Sequence, residues 1–192
     1  MASYQWIIAA LWLMFIAYWA IAASTAKPSI GAQWMWSRQM VLRLAIIVLV
    51  LVGLRILVFG HGSGNARLFL VNRNAVLGWI GAALCAFGFA LAFWARAYLG
   101  RNWGMPMSRK EDPELVTRGP YAFVRHPIYA GMFLALLGSA IGVTIVWSVP
   151  LILGGIYFVY AARREERLLV EQFPDQYPAY QRRTKMLVPF LL

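Results

Sequence analysis

The sequence predicts an all-α integral membrane protein, a bundle of about five transmembrane helices with a C-terminal helical hairpin. Three observations carry this. Apolar stretches long enough to cross a bilayer recur along the 192 residues. With 61% hydrophobic and 13% charged residues, the chain has too little polar surface to coat a soluble helical domain. Charge is also segregated: Glu111, Asp112, Glu114, Glu165, Glu166, Glu171 and Asp175 are all the acidic residues, and the first 110 residues contain none.

Taken in order, Tyr4 to Ala23 is a first span whose Trp6, Trp12, Tyr18 and Trp19 suit the interfaces. No positive segment precedes it, so a retained span is expected rather than a signal peptide cleaved near Ala22–Ala26. Lys27 to Arg38 is a basic, Trp-rich loop, and Val41 to Phe59 a second span with Arg43 and Arg55 near its ends, where they can snorkel. Gly60 to Asn65 is a glycine-rich turn. It follows no strand, so it is no phosphate loop, and His61 is a solvated residue there.

Ala75 to Leu99 is a third span and Gly100 to Arg125 the main polar loop. Ile128 to Trp147 is a fourth span, followed by a turn at Ser148-Val-Pro150. Leu151 to Ala162 is apolar but too short to cross alone. The spacing of Glu165, Glu166, Leu168, Leu169 and Phe173 predicts that its helix continues beyond the lipid. The fourth and fifth spans then form a tight hairpin. An N-terminal transmembrane hairpin (1–74) precedes a core (75–192) that holds the polar chemistry.

Five crossings put Lys27, Arg38, the loop from Arg96 to Arg125 and the tail from Arg163 to Lys185 on one side, which the positive-inside rule makes cytoplasmic, with the N-terminus outside. The net charge of +11 therefore matches anionic headgroups, not nucleic acid. Cys85 is the single cysteine, so neither an intrachain disulfide nor a cysteine metal cluster is possible, and no metal site is expected.

Three polar segments converge on that face. Leu99 to Met105 closes the third span, with Gly100 as a helix terminator and Trp103 as an interfacial anchor. Arg118 to Gly131 crowds Gly119, Pro120, Tyr121, Arg125, His126, Pro127 and Tyr129 into a membrane entry where a helix start needs one cap. Its prolines remove donors and bend the chain away from helix. Arg163 to Phe173 presents Glu165 and Glu166 directly beyond an apolar span, where carboxylates need a cationic partner: Arg125 or a cationic ligand.

The run Leu115-Val-Thr-Arg-Gly-Pro-Tyr121, then Val124-Arg-His-Pro-Ile-Tyr-Ala-Gly131, then Glu165-Glu-Arg-Leu-Leu169 with Phe173, Tyr177, Tyr180 and Pro189, resembles the isoprenylcysteine carboxyl methyltransferase family, relatives of the phospholipid methyltransferases. The resemblance covers roughly residues 96 to 190. Two positions depart from the family pattern: Gly104 where serine is frequent, and Pro174 where glycine usually follows the phenylalanine. The resemblance implies S-adenosylmethionine held by Leu115, Val116, Gly119, Pro120, Tyr121, His126, Pro127, Tyr129, Glu165 and Glu166. It also implies a lipophilic acceptor arriving from the membrane, most simply a prenylcysteine-like carboxylate. Arg125 would hold such an acceptor; for an amine or thiol, Glu165 or Glu166 would be the base. A membrane sterol-type reductase using NADPH is the alternative enzyme, disfavoured by the short chain. A non-catalytic transporter or assembly factor is the alternative class, disfavoured because the polar groups gather at one face and no repeat is present.

Overall fold

The structure, a computed structural model, describes residues 2–23, 29–30, 72–100, 109–110 and 114–187. The expected span Val41 to Phe59, the loop from Lys27 to Arg38, the turn at residues 60–65, residues 101–105 of the first polar segment, and Glu111 and Asp112 lie outside the described residues.

Helix α1 spans Ser3–Ala23 and α2 spans Ala75–Leu99. The ends of α2 are set locally. The Asn74 side chain accepts from the N–H groups of Val76 and Leu77. Gly100, at φ 51, terminates the helix while its N–H returns to the Arg96 carbonyl. Arg96 is buried near this end and donates to the carbonyls of Gly100 at 2.6 Å and Ala22 at 3.1 Å. It thereby clamps the last turns of α1 and α2 together, so the two helices run parallel. A two-residue antiparallel ladder pairs β1 (Ser29–Ile30) with β2 (Arg109–Lys110).

Helix α3 begins at Pro127, where a missing N–H costs nothing, and ends at Gly142. The fourth span was expected to reach Trp147. Instead Val143 donates to Ser139, and the extended Thr144 caps a 3-10 turn, Ile145–Trp147. The β-branched run from Val143 to Val146 and the threonine cap compete with helix, which ends α3 a turn early. Ser148-Val-Pro150 is not a turn but the opening of α4, Ser148–Gln172, because proline is tolerated in a first turn. At 25 residues α4 is about 37 Å long, so it continues past the lipid as the periodicity predicts. Helix α5, Gln176–Arg183, follows a short turn.

Among the described residues, three helical segments are long and apolar enough to cross a membrane: Ser3–Ala22, Ala75–Leu99 and Ile145–Gln172; the shorter α3 is apolar throughout. Leu13, Ile21, Val76, Phe87, Ile152 and Ile156 point outward, as lipid-facing residues do. The protein is an integral membrane helical bundle.

Helices α3 and α4 form the expected C-terminal hairpin, and α3 packs still more extensively on α2. A Cβ on Gly81 would meet the backbone of Gly138 and Gly142, and one on Gly138 would meet that of Gly81 and Cys85. The two backbones approach closely only because small residues face each other. Helix α1 packs against both: Trp12 donates to the Ser139 hydroxyl of α3 at 3.0 Å, and Phe15 stacks on Phe89 of α2 at 4.6 Å. A second cluster, Tyr129, Leu136, Phe158, Ala161 and Ala162, joins α3 to α4 and lies beneath the site.

Candidate active site

The site lies where α3 begins and α4 leaves the bundle. Gly119 to Ala122 forms a 3-10 turn, with Gly119 at φ 60; a Cβ there would also run into the Tyr98 ring. The carbonyl of Pro120 accepts from Phe123 and Val124, which turns the chain toward α3. Arg125 and His126 then carry a partner strand: their N–H groups donate to the carbonyls of Lys185 at 2.8 Å and Met186 at 3.0 Å. The expected Arg118–Gly131 wall is thus completed by the chain after α5.

Five charged or ionisable groups meet at this wall. Arg125 Nε donates to Glu166 Oε1 at 2.6 Å, and its NH1 reaches the carbonyls of Gln181 and Thr184. His126 bridges the pair, with Nδ1 3.5 Å from Glu165 and Nε2 3.3 Å from Glu166. The Tyr129 hydroxyl donates to Glu165 Oε1 at 2.6 Å, and Gln181 donates to the second oxygen of Glu166 at 3.0 Å. The rings of His126, Tyr129 and Phe158 stack in series, at 5.6 and 5.4 Å. Burial pulls the His126 pKa down, but hydrogen bonds and charge from both glutamates outweigh it, and the net shift is upward.

The expected site residues thus divide. Arg125, His126, Tyr129, Glu165 and Glu166 are in direct contact. Tyr121 and Pro120 are buried alongside, and burial, Tyr180 and Glu165 raise the Tyr121 pKa well above the usual phenol value. Pro127 is buried as the first residue of α3. Leu115 and Val116 are half-buried before the 3-10 turn, and no hydrogen bond or ring contact among the described residues ties them to the glutamates.

Sequence reasoning named Tyr177 and Tyr180 of α5 only as part of the resemblance and gave the helix no role in the site. Tyr180 donates to the Tyr121 carbonyl at 2.6 Å, its own pKa pushed up to about 12 chiefly by burial. Gln181 grips Glu166, and Tyr177 is buried with its hydroxyl unpartnered. The signal was the helical spacing of Tyr177, Tyr180, Gln181 and Thr184 within a basic segment. Beside Arg125 opens a cavity of about 340 Å³, also lined by Arg182, Arg183 and Lys185.

The fold and its charged cluster define a membrane-embedded helical protein with a polar site at one end. Residues 76–176 match the phospholipid methyltransferase family, and the chain belongs to it. It is 33% identical over 116 residues to the nickel-cobalt-cadmium resistance protein NccN of Alcaligenes xylosoxydans xylosoxydans, covering 59% of this chain and 53% of that protein. It is 30% identical over 116 residues to protein-S-isoprenylcysteine O-methyltransferase of Tribolium castaneum, covering 58% of this chain and 41% of that enzyme. The chain thus spans about half the length of these relatives. A solved structure of the eukaryotic intramembrane Ras methyltransferase, isoprenylcysteine carboxyl methyltransferase, superposes with a TM-score of 0.51 at 22% identity, over 84% of this chain and 55% of that one. At that identity the likeness is one of fold.

Proposed function

We propose that the protein is a membrane methyltransferase that moves a methyl group from S-adenosylmethionine to a lipophilic acceptor. The observation that carries this is the convergence of Glu165, Glu166, His126 and Tyr129 at one end of an apolar bundle. The residues fit the cofactor. Two carboxylates suit its ammonium, and the buried, unpartnered Tyr177 hydroxyl leaves a donor for a ligand. When bound, S-adenosylmethionine would supply an electrophilic sulfonium methyl, whose transfer to the acceptor would break the S–CH3 bond and leave S-adenosylhomocysteine.

The chain's contribution is positioning and electrostatics. Arg125, spent on Glu166 and two carbonyls, holds that carboxylate and α5 in place. Its basic cavity, with Arg182, Arg183 and Lys185, favours an anionic acceptor head and so a prenylcysteine-like carboxylate, which needs no base. For an amine or thiol, Glu165 is the better base, since Glu166 already accepts from Arg125 and Gln181. The parallel course of α1 and α2 and the positive-inside rule support five crossings in a bacterial inner membrane, with the N-terminus outside and the site cytoplasmic. Residues 1–74 then form the N-terminal hairpin and 75–192 the catalytic core.

Calorimetry on the purified full chain tests this: it should bind S-adenosylmethionine and not NADPH. Absence of cofactor binding, or preference for NADPH, would overturn the proposal. Mass spectrometry of membranes supplied with methyl-deuterated S-adenosylmethionine, with and without the protein, identifies the acceptor.

A further inference from the structure

The inner face of α5 carries four polar side chains at helical spacing: Tyr177, Tyr180, Gln181 and Thr184. Three of them fasten or close the helix. Tyr180 donates to the Tyr121 carbonyl, Gln181 to Glu166, and Thr184 to the Tyr180 carbonyl. Tyr177 is the most deeply buried of the four, at 1% exposure, and its hydroxyl has no partner. Its ring has a packing role, meeting Tyr180 edge-on at 5.8 Å. Phenylalanine would fill that role without burying an unsatisfied hydroxyl, which is costly.

The charged neighbours of this hydroxyl are Glu166, Arg125 and Glu165, so it sits beside the proposed site. Burial first and Glu166 second raise its pKa far above the ordinary phenol value. The group is therefore a fixed O–H donor, unsuited to serve as a base. An amino-acid head brings an ammonium and a carboxylate together. The two glutamates attract the first and repel the second, and Arg125 is already committed. A neutral donor beside the glutamates is what the carboxylate needs.

We infer that Tyr177 is a ligand-binding residue, its hydroxyl donating to the α-carboxylate of a methyl donor whose α-ammonium is held by Glu165 and Glu166. This rests on the reading of the site as an S-adenosylmethionine site.

The test uses the full chain in detergent, wild type and Tyr177→Phe, with calorimetry against S-adenosylmethionine and decarboxylated S-adenosylmethionine. The variant should bind S-adenosylmethionine about tenfold more weakly and the decarboxylated form unchanged. Its ligand-free Tm should equal or exceed that of the wild type, since an unsatisfied buried hydroxyl has been removed. A buried tyrosine with a purely structural role gives equal affinity in both proteins, or equal losses for both ligands, and either result overturns the inference. Wild-type protein that binds the decarboxylated form as tightly as S-adenosylmethionine overturns it without any variant. Wild-type protein that binds neither ligand overturns the cofactor assignment itself, a separate outcome.

Discussion

Arg125 and Gln181 hold the two oxygens of one carboxylate: the guanidinium takes Glu166 Oε1 at 2.6 Å, and the amide takes Oε2 at 3.0 Å. One partner comes from the membrane-entry loop and the other from α5. Glu166 is therefore the post to which both are tied.

Removing the cation should be expensive. Arg125→Ala leaves Glu166, 13% exposed, without its guanidinium and with only His126 as a cationic partner, and frees the Gln181 and Thr184 carbonyls. A loss of about 3 kcal/mol is expected, the low end for breaking one side of a buried pair. Adding Glu166→Gln should recover part of it, measured as non-additive unfolding free energies in detergent.

His126 makes stability and affinity depend on pH in opposite directions. It faces Glu165, Glu166 and the Tyr129 ring, with Arg125 on the far side of their shared partner Glu166, and its folded pKa stands above its ordinary 6.5. Its stabilising contribution is fully present below about 6.5 and is lost as pH rises through the raised folded value. A cationic ligand competes with the imidazolium for the same carboxylates, so cofactor affinity should rise over that interval. Calorimetry in buffers of different ionisation enthalpy should register proton release on binding. His126→Gln should flatten both profiles.

Tyr129→Phe should weaken cofactor binding about tenfold by releasing Glu165 from its 2.6 Å hydrogen bond, a contact to a charged group. Unlike the change at Tyr177, it should also lower the ligand-free Tm, because a satisfied bond is removed. Equal Tm in variant and wild type would count against the contact.

The seam between α2 and α3 should resist even one methyl group. A Cβ at Gly138 lies 2.6 Å from the Cys85 amide nitrogen, whereas at Gly154 the nearest atom is a Leu136 methyl at 3.0 Å. Gly138→Ala should cost about 1–3 kcal/mol, and Gly154→Ala much less, since a side-chain end can move and a backbone cannot. Thermal unfolding of the two variants side by side measures the contrast.

Hydropathy and caps made the bundle legible: α2 runs from Ala75 to Leu99 as expected, because Asn74 and Gly100 mark its ends. The early end of α3 was not legible, since Val143 to Val146 is as apolar as a span and only its geometry turns. Arg125 and Glu166, 41 residues apart, were visible because charges at an apolar edge demand partners. Gln181 and Thr184 were not, because beside Arg182 and Arg183 they read as a solvated face. The glycines at 81 and 138 were hidden for a similar reason, being indistinguishable by hydropathy from lipid-facing residues.

The backbone bonds from Arg125 and His126 to Lys185 and Met186 also impose an order on biosynthesis. During vectorial synthesis α1, α2 and α3 enter the membrane while the strand that completes the wall is still unmade. Until Met186 has left the ribosome, the two amides and the guanidinium of Arg125 face water. Insertion of the bundle therefore precedes maturation of its site, and the nascent chain passes through an anchored state with that site open.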